Sequence, residues 1–186
     1  MSKIIIAFDG PDNVGKSTQI GLLRKHFSQT PFLILNVDAP VGSNASEKLA
    51  YGKAHIQKTF EAMDTLSSSQ IHDRSHFTEY AYSFFRDGHD IEDILALEKT
   101  YEHLKDNLCI ITFIDEVENI ISRDDGASAY DKENTDDVLR IVENFKEISK
   151  RSLFPNIIIN IHGKDIPTVQ AEVNDYIAQQ FPDFKR

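Results

Sequence analysis

Short apolar runs alternate with stretches where apolar residues return every three or four positions, along the whole chain. Ile4-Ile5-Ile6-Ala7-Phe8 reads as a buried strand, and Ile20, Leu23 and Phe27 after it recur at helical spacing. Phe32 to Val37 predicts a second strand, Asp38 to Ser46 a turn-rich connection, and Leu49, Ile56, Phe60 and Met63 a helix. Gln70-Ile71-His72 is a short, half-polar third strand running into a helix that carries Phe77, Tyr80, Ala81, Phe84 and Phe85. Asp90 suits the N-cap of a helix with Ile91, Ile94, Tyr101 and Leu104 turned inward. Leu108 to Ile114 is continuously apolar, as a strand buried on both faces requires. Periodicity vanishes from Arg123 to Asn134, which predicts a mobile surface segment. Thr135 is placed to cap a helix on Val138, Ile141, Val142, Phe145 and Ile148. A fifth strand, Asn156 to Ile161, precedes a last helix with Pro167 in its first turn and Val169, Val173, Tyr176 and Ile177 on its apolar side. Strands alternating with helices predict an α/β protein, a parallel sheet covered on both faces.

The 186 residues form one expected domain, with no internal repeat, low-complexity tract or interdomain linker. The formal net charge of −10 disfavours a nucleic-acid polymer as partner, because gripping a phosphate backbone calls for a basic stripe. Cys109 is the one cysteine, so no disulfide framework exists, and its apolar neighbours make it a buried structural thiol. No run of about 18 apolar residues predicts a membrane span. The first strand begins almost at the N-terminus, which predicts no signal peptide and a cytoplasmic location.

Candidate chemistry concentrates at Gly10-Pro-Asp-Asn-Val-Gly-Lys-Ser-Thr18, which fits the phosphate-binding pattern G-x-x-x-x-G-K-[ST] between a strand and a helix. Gly10 and Gly15 let the backbone turn tightly and bring its N–H groups against phosphate oxygens. Asp12, Asn13, Val14 and Thr18 complete the expected ATP-binding loop. The helix starting near Lys16 directs its positive dipole end at the same anion. Lys16 is expected to reach the β- and γ-phosphates, and Ser17 to offer its hydroxyl to Mg²⁺.

A second motif narrows the class. Asp73-Arg74-Ser75-His76-Phe77-Thr78-Glu79-Tyr80-Ala81-Tyr82 resembles the D-R-x-x-x-S-x-x-A-Y signature of thymidylate kinases, with Thr78 in place of serine. It also resembles the E-R-S segment of deoxyribonucleoside kinases, with Asp for Glu. The stretch Ile111 to Arg123 is similar to the thymidylate-kinase region where a strand ends in Asp (here Asp115), a short helix follows and a basic residue (here Arg123) opens the lid. The resemblance implies a three-layer α/β/α P-loop nucleoside triphosphate hydrolase fold with a five-stranded parallel sheet, ATP as phosphoryl donor, Mg²⁺ and helix-mediated homodimers. Asp73 is then the candidate to hold Mg²⁺ or orient the acceptor, and Arg74 the clamp on an acceptor phosphate. Arg123 would fold over the γ-phosphate from a lid spanning 123–134. By the same resemblance Asp12 would contact the acceptor sugar, and Phe77 or Tyr80 would line the nucleoside pocket. The plainer alternatives are that Asp73-Arg74 is a local ion pair, Phe77 and Tyr80 are core, Arg123 is a solvated loop charge and Asp115 is a helix cap. His72 and His76 flank Asp73, but the chain bends there from strand to helix and no cysteine is near, so a zinc site is not expected.

Other positions depart from that family. Where thymidylate kinases carry R-E-P-G-G, this chain has Asp38-Ala39-Pro40-Val41-Gly42. Asp38 is a candidate acceptor-binding base, which would suit a nucleoside 5′-hydroxyl. Asn13 stands where some members have an arginine, and Arg123 and Lys132 are the lid's only cations. His55, Gln57 and Lys58 occupy the helix that normally presents an arginine to the base, leaving Lys48, Lys53 and Arg86 as alternatives. The leading expectation is phosphoryl transfer to a (deoxy)nucleoside 5′-monophosphate, with a deoxynucleoside kinase as the alternative. A regulatory nucleotide switch is the third reading, although the guanine-reading N-K-x-D segment is absent from its expected place.

Overall fold

The computed structural model describes residues 3–28, 31–36, 45–86, 90–123 and 135–183. Its centre is a five-stranded sheet of β1 (Ile5–Asp9), β2 (Leu33–Asn36), β3 (Gln70–Asp73), β4 (Leu108–Ile114) and β5 (Asn156–Asn160), in the order β2-β3-β1-β4-β5. Every pairing is parallel. The helices of the described residues are α1 (Lys16–His26), α2 (Ala45–Thr65), α3 (His76–Ala81), α4 (Ile91–Thr100), α5 (Val117–Ser122), α6 (Thr135–Arg151) and α7 (Ile166–Gln180). No described helix is long and apolar enough to cross a membrane.

The central strands are apolar on both faces because both faces are covered. Ile4, Ile6 and Phe8 join Cys109, Ile111 and Phe113 in one cluster with Leu23 of α1 and Val173 of α7. Ile5 and Ala7 turn the opposite way with Leu108 and Ile110, packing against Phe60 of α2, Phe77 of α3, Ile94 of α4 and Phe145 of α6. Each such side chain removed from water contributes about 1.5–3 kcal/mol before chain entropy is counted. Cys109 is a free, wholly buried thiol in this core, and burial pushes its pKa up.

Caps explain several boundaries. Asp90 accepts a hydrogen bond from the Glu92 N–H, and Asp165 one from the Thr168 N–H ahead of Pro167. The helix expected to run past Phe77 is only six residues long, and Phe84 and Phe85 lie in a separate 3-10 turn, Ser83–Arg86. Tyr101 and Leu104 likewise fall beyond α4, Leu104 in the 3-10 segment Glu102–Asp106.

Parallel register aligns the carboxyl ends of the strands: Phe8 lies opposite Asp73, and Asp9 opposite Thr112. The chain leaves β1 toward β3 and β2 on one side, and β4 and β5 fill the other. Connections diverge at the end of β1, the place where open α/β sheets form their binding crevice.

Candidate active site

The loop begins where β1 stops. Gly10 has φ +129°, and a Cβ there would stand 2.2 Å from the Phe113 carbonyl oxygen, so the backbone passes β4 too closely for any side chain. Val14, almost wholly buried, anchors the loop in the core. Asn13 adopts the left-handed region at φ 64°, which a short polar side chain tolerates, and its Nδ2 is buried without a hydrogen-bond acceptor. Gly15 is the left-handed N-cap of α1, and it, Ser17 and Thr18 are exposed. No acidic residue occupies the first turn of α1, so the acids near its positive end come from elsewhere in the chain.

Lys16 is buried, and its Nζ donates to the carbonyls of Gly10 at 3.0 Å and Pro11 at 2.6 Å. Burial, then Arg74, lower its pKa to about 7, against the pull of Asp12, Asp73 and Asp9. Arg74 approaches the same loop from the end of β3. Its guanidinium pairs with the Asp12 carboxylate, and its N–H donates to the Phe8 carbonyl at 2.9 Å. Burial opposes the charge on Arg74, but Asp12 and Tyr82 outweigh it and hold the group more firmly protonated than usual. The Arg74 backbone is left-handed at φ 82°, a conformation costing a non-glycine residue about 1–3 kcal/mol. Asp73 is half-buried beside these groups; burial, together with Asp9 and Asp12, raises its carboxyl against Lys16 and Arg74.

Two side chains that shape the candidate site are not singled out by the sequence. Asp9, wholly buried, accepts from the Ser75 N–H (3.0 Å), Thr78 N–H (3.1 Å) and Thr78 hydroxyl (2.6 Å) on Oδ1, and from the Ser75 hydroxyl (2.5 Å) on Oδ2. This explains the hydroxyl at position 78: serine and threonine are the small residues that present one from the first turn of α3. The sequence signal for Asp9 is a carboxylate closing a strand with no other polar residue. Tyr82, which ends the second motif, places its hydroxyl to accept the Asp12 N–H at 3.3 Å.

The expected pocket residues are placed differently. Phe77 is wholly buried in the core, so its side chain serves packing and presents no surface to an acceptor. Tyr80 is nearly buried, and its hydroxyl donates to Glu147 on α6 at 2.7 Å. Tyr80 faces the α3–α6 contact, where Asn144 also donates to the Ala81 carbonyl, while Phe77 packs beside the His76 ring. Arg123 is half-exposed and pairs with the buried Asp115 at 2.8 Å; its described contacts do not include the loop. Asp115 accepts from the Glu116 N–H and the Asn119 amide, so it braces the start of α5, whose N-cap position is Glu116. Burial would raise Asp115, but Asn119, the Glu116 N–H and Arg123 hold it below the usual carboxylate range. Asp38, the acceptor-side base candidate, and the rest of the lid including Lys132 lie outside the described residues.

His72 is buried with Nε2 2.8 Å from the Gln70 amide oxygen, and burial lowers its pKa to about 4. Among the described residues no cluster of His, Cys, Asp or Glu is arranged to hold a metal by itself. The arrangement as a whole is a backbone loop with two cations, Lys16 and Arg74, converging from different strands, and three aspartates set among them.

This combination of parallel sheet, strand-to-helix glycine loop and buried lysine defines a three-layer α/β/α fold of the P-loop kind. The solved structures that the chain resembles include the following two. One is a thymidylate kinase from Candida albicans, with TM-score 0.66 and 16% identity over 96% of this chain and 92% of the other. The second is the YorR protein of Bacillus subtilis in complex with phosphorylated GDP, with TM-score 0.68 and 18% identity over 98% and 99% of the two chains. Compared by sequence, the chain matches no protein-family model and no curated protein.

Proposed function

We propose that this protein is a nucleotide kinase that transfers the γ-phosphoryl group of ATP to a (deoxy)nucleoside 5′-monophosphate. The observation that carries the reading is the convergence of Arg74 on the Lys16 loop. One cation serves the donor phosphates, and a second, with a bidentate fork, serves an acceptor phosphate. An acceptor phosphate oxygen attacks the γ-phosphorus, the bond to the β-phosphate oxygen breaks, and ADP leaves. Lys16 exchanges its loop carbonyls for phosphate oxygens, and Arg74 exchanges Asp12 for the acceptor. Their charges then stand where negative charge is spread during transfer.

The residues present fit Mg²⁺. The Ser17 hydroxyl is exposed on the first turn of α1, and Asp73 is a half-buried carboxyl at the end of β3 beside Lys16 and Arg74. These two would hold the ion, which supplies electrostatic neutralisation of the donor phosphates when bound. Asp73 also gives the second reading its support: a raised carboxyl suits proton uptake from an uncharged 5′-hydroxyl, the chemistry of a deoxynucleoside kinase.

A coupled ADP-release assay with ATP and Mg²⁺ separates the two, using deoxynucleosides and their 5′-monophosphates as acceptors and Lys16→Ala as control. Turnover with a monophosphate is expected. Turnover with nucleosides alone would move the assignment to the second reading. ATP binding without acceptor-dependent ADP release would refute both.

A further inference from the structure

The first turn of α3 is held from two directions, and only one belongs to the site described above. On the sheet side, Asp9 takes four hydrogen bonds from Ser75 and Thr78. On the far side lies His76, the first residue of α3, with its ring buried and its Nε2 2.7 Å from Oε1 of Glu98 on α4. Glu98 is also wholly buried. Its remaining partners are the Ser152 hydroxyl and the Leu153 N–H, both at 2.7 Å, in the turn that follows α6. Phe60, Phe77 and Phe154 enclose the imidazole at 4.9, 5.0 and 6.0 Å between ring centroids.

A carboxylate among aromatic side chains is costly unless its lone pairs are met, and here three donors from two other segments meet them. Burial pushes Glu98 up, while His76, Leu153 and Ser152 together hold it below the usual carboxylate range. The resulting knot ties α3, α4 and the α6–β5 turn at one point, two residues from Arg74. Strained backbone persists only where its surroundings over-determine it, and Arg74 sits at φ 82° just ahead of the doubly fastened turn.

We propose that His76, acting through Glu98, is a positioning residue that fixes the first turn of α3 from the α4 side and thereby keeps Arg74 turned onto the phosphate loop. Asp9 fastens the first turn to β1, and Tyr80 and Asn144 tie the second turn to α6; the Glu98 contact adds a buried tie to the first turn from the α4 side. The consequence for turnover rests on the kinase reading above, whereas the consequence for Arg74 does not.

The experiment compares His76→Gln, which keeps an N–H donor at similar reach, with His76→Phe, which keeps a ring and loses the donor. Circular dichroism verifies folding. His76→Phe is expected to lower kcat/KM for the acceptor at least about tenfold, with KM for ATP unchanged, since small misplacement of a positioning group costs this much or more. His76→Gln is expected to stay within about threefold of the original chain on the same grounds. The Arg74 Nε–Hε resonance, assigned by its loss in Arg74→Lys, should move toward the free-arginine position in His76→Phe alone. A folded His76→Phe with unchanged acceptor kinetics and an unmoved resonance would overturn the proposal. So would equal losses in both variants, which would mean a general packing role. If no acceptor supports turnover by the original chain, the kinase reading fails and the resonance alone decides the brace. Should His76→Phe not fold, Glu98→Met, which keeps a side chain of similar length and removes the carboxylate acceptor, is expected to displace the same resonance; an unmoved resonance there would overturn the proposal.

Discussion

Asp9 and Asp12 lie three residues apart on either side of the Gly10 turn, and their carboxylates do different work. Asp9 is wholly buried, with four donors from one short helix gathered on its two oxygens. Asp12 is partly exposed and pairs with the Arg74 guanidinium, which an incoming phosphate would claim under the proposed reading. The first is scaffold, joining β1 to α3 so that loop and arginine share one frame. The second is exchangeable under the proposed reading, because a phosphate offers the Arg74 fork bidentate geometry with more negative charge. A phosphate-transfer site needs both: fixed backbone to aim its cations, and contacts that yield to substrate.

The largest effect should therefore follow Asp9→Ala, which strands buried donors of Ser75 and Thr78. A loss of about 3 kcal/mol or more is expected from unsatisfied buried groups. That corresponds to roughly 6–12 °C in Tm for a chain of this size, read by urea and thermal unfolding. Gly10→Ala should cost about 1–3 kcal/mol through the forced approach to the Phe113 carbonyl, visible in the same melts. Thr78→Val should cost about 1–2 kcal/mol, whereas Thr78→Ser, which keeps the hydroxyl, should stay within about 0.5 kcal/mol of the original chain. Asp12→Asn, which keeps a side-chain oxygen for Arg74, should cost about 1–2 kcal/mol, less than Asp9→Ala, while altering acceptor kinetics. A large stability loss at Asp12 would erase the distinction.

Lys16 sharpens it through pH. Its folded-state pKa, about 7, lies below the 10.5 of an ordinary lysine, so between those values the unfolded chain binds the extra proton. Stability should rise with pH across that window, and Lys16→Met should flatten the rise. Phosphate beside Lys16 favours its charged form, so ATP binding at pH 8 should take up close to one proton. Calorimetry in two buffers of different ionisation enthalpy reads that uptake, and an absence of proton exchange would contradict the assignment.

How much of this was legible in the sequence depended on how local each determinant is. The Gly10–Thr18 loop could be read because its strand, glycines, lysine and helix are consecutive, and the two-sided burial of β4 because seven apolar residues run together. Asp9 was missed because its partners stand 66 and 69 residues away, and only strand register brings them together. The family resemblance makes Phe77 or Tyr80 a pocket residue, whereas their helical spacing makes both core. The helix ends at Ala81, its face is spent on α6, and Tyr82 beyond it turns back to the loop. Asp115 was expected at a helix cap. It does meet the Glu116 N–H, but its ion pair with Arg123 depends on the short α5 returning a basic residue to the strand end.

The reading stands most directly on Arg74. Steady-state ADP release should be measured for the original chain and for Arg74→Ala, each with a deoxynucleoside 5′-monophosphate and with the matching nucleoside. The original chain should use the monophosphate. Arg74→Ala should lose about 10²–10³-fold in kcat/KM for it, the usual scale for deleting one preorganised group that meets transition-state charge. Undiminished use of the monophosphate by Arg74→Ala, in a variant that still binds ATP, would contradict the assignment of Arg74 to the acceptor phosphate.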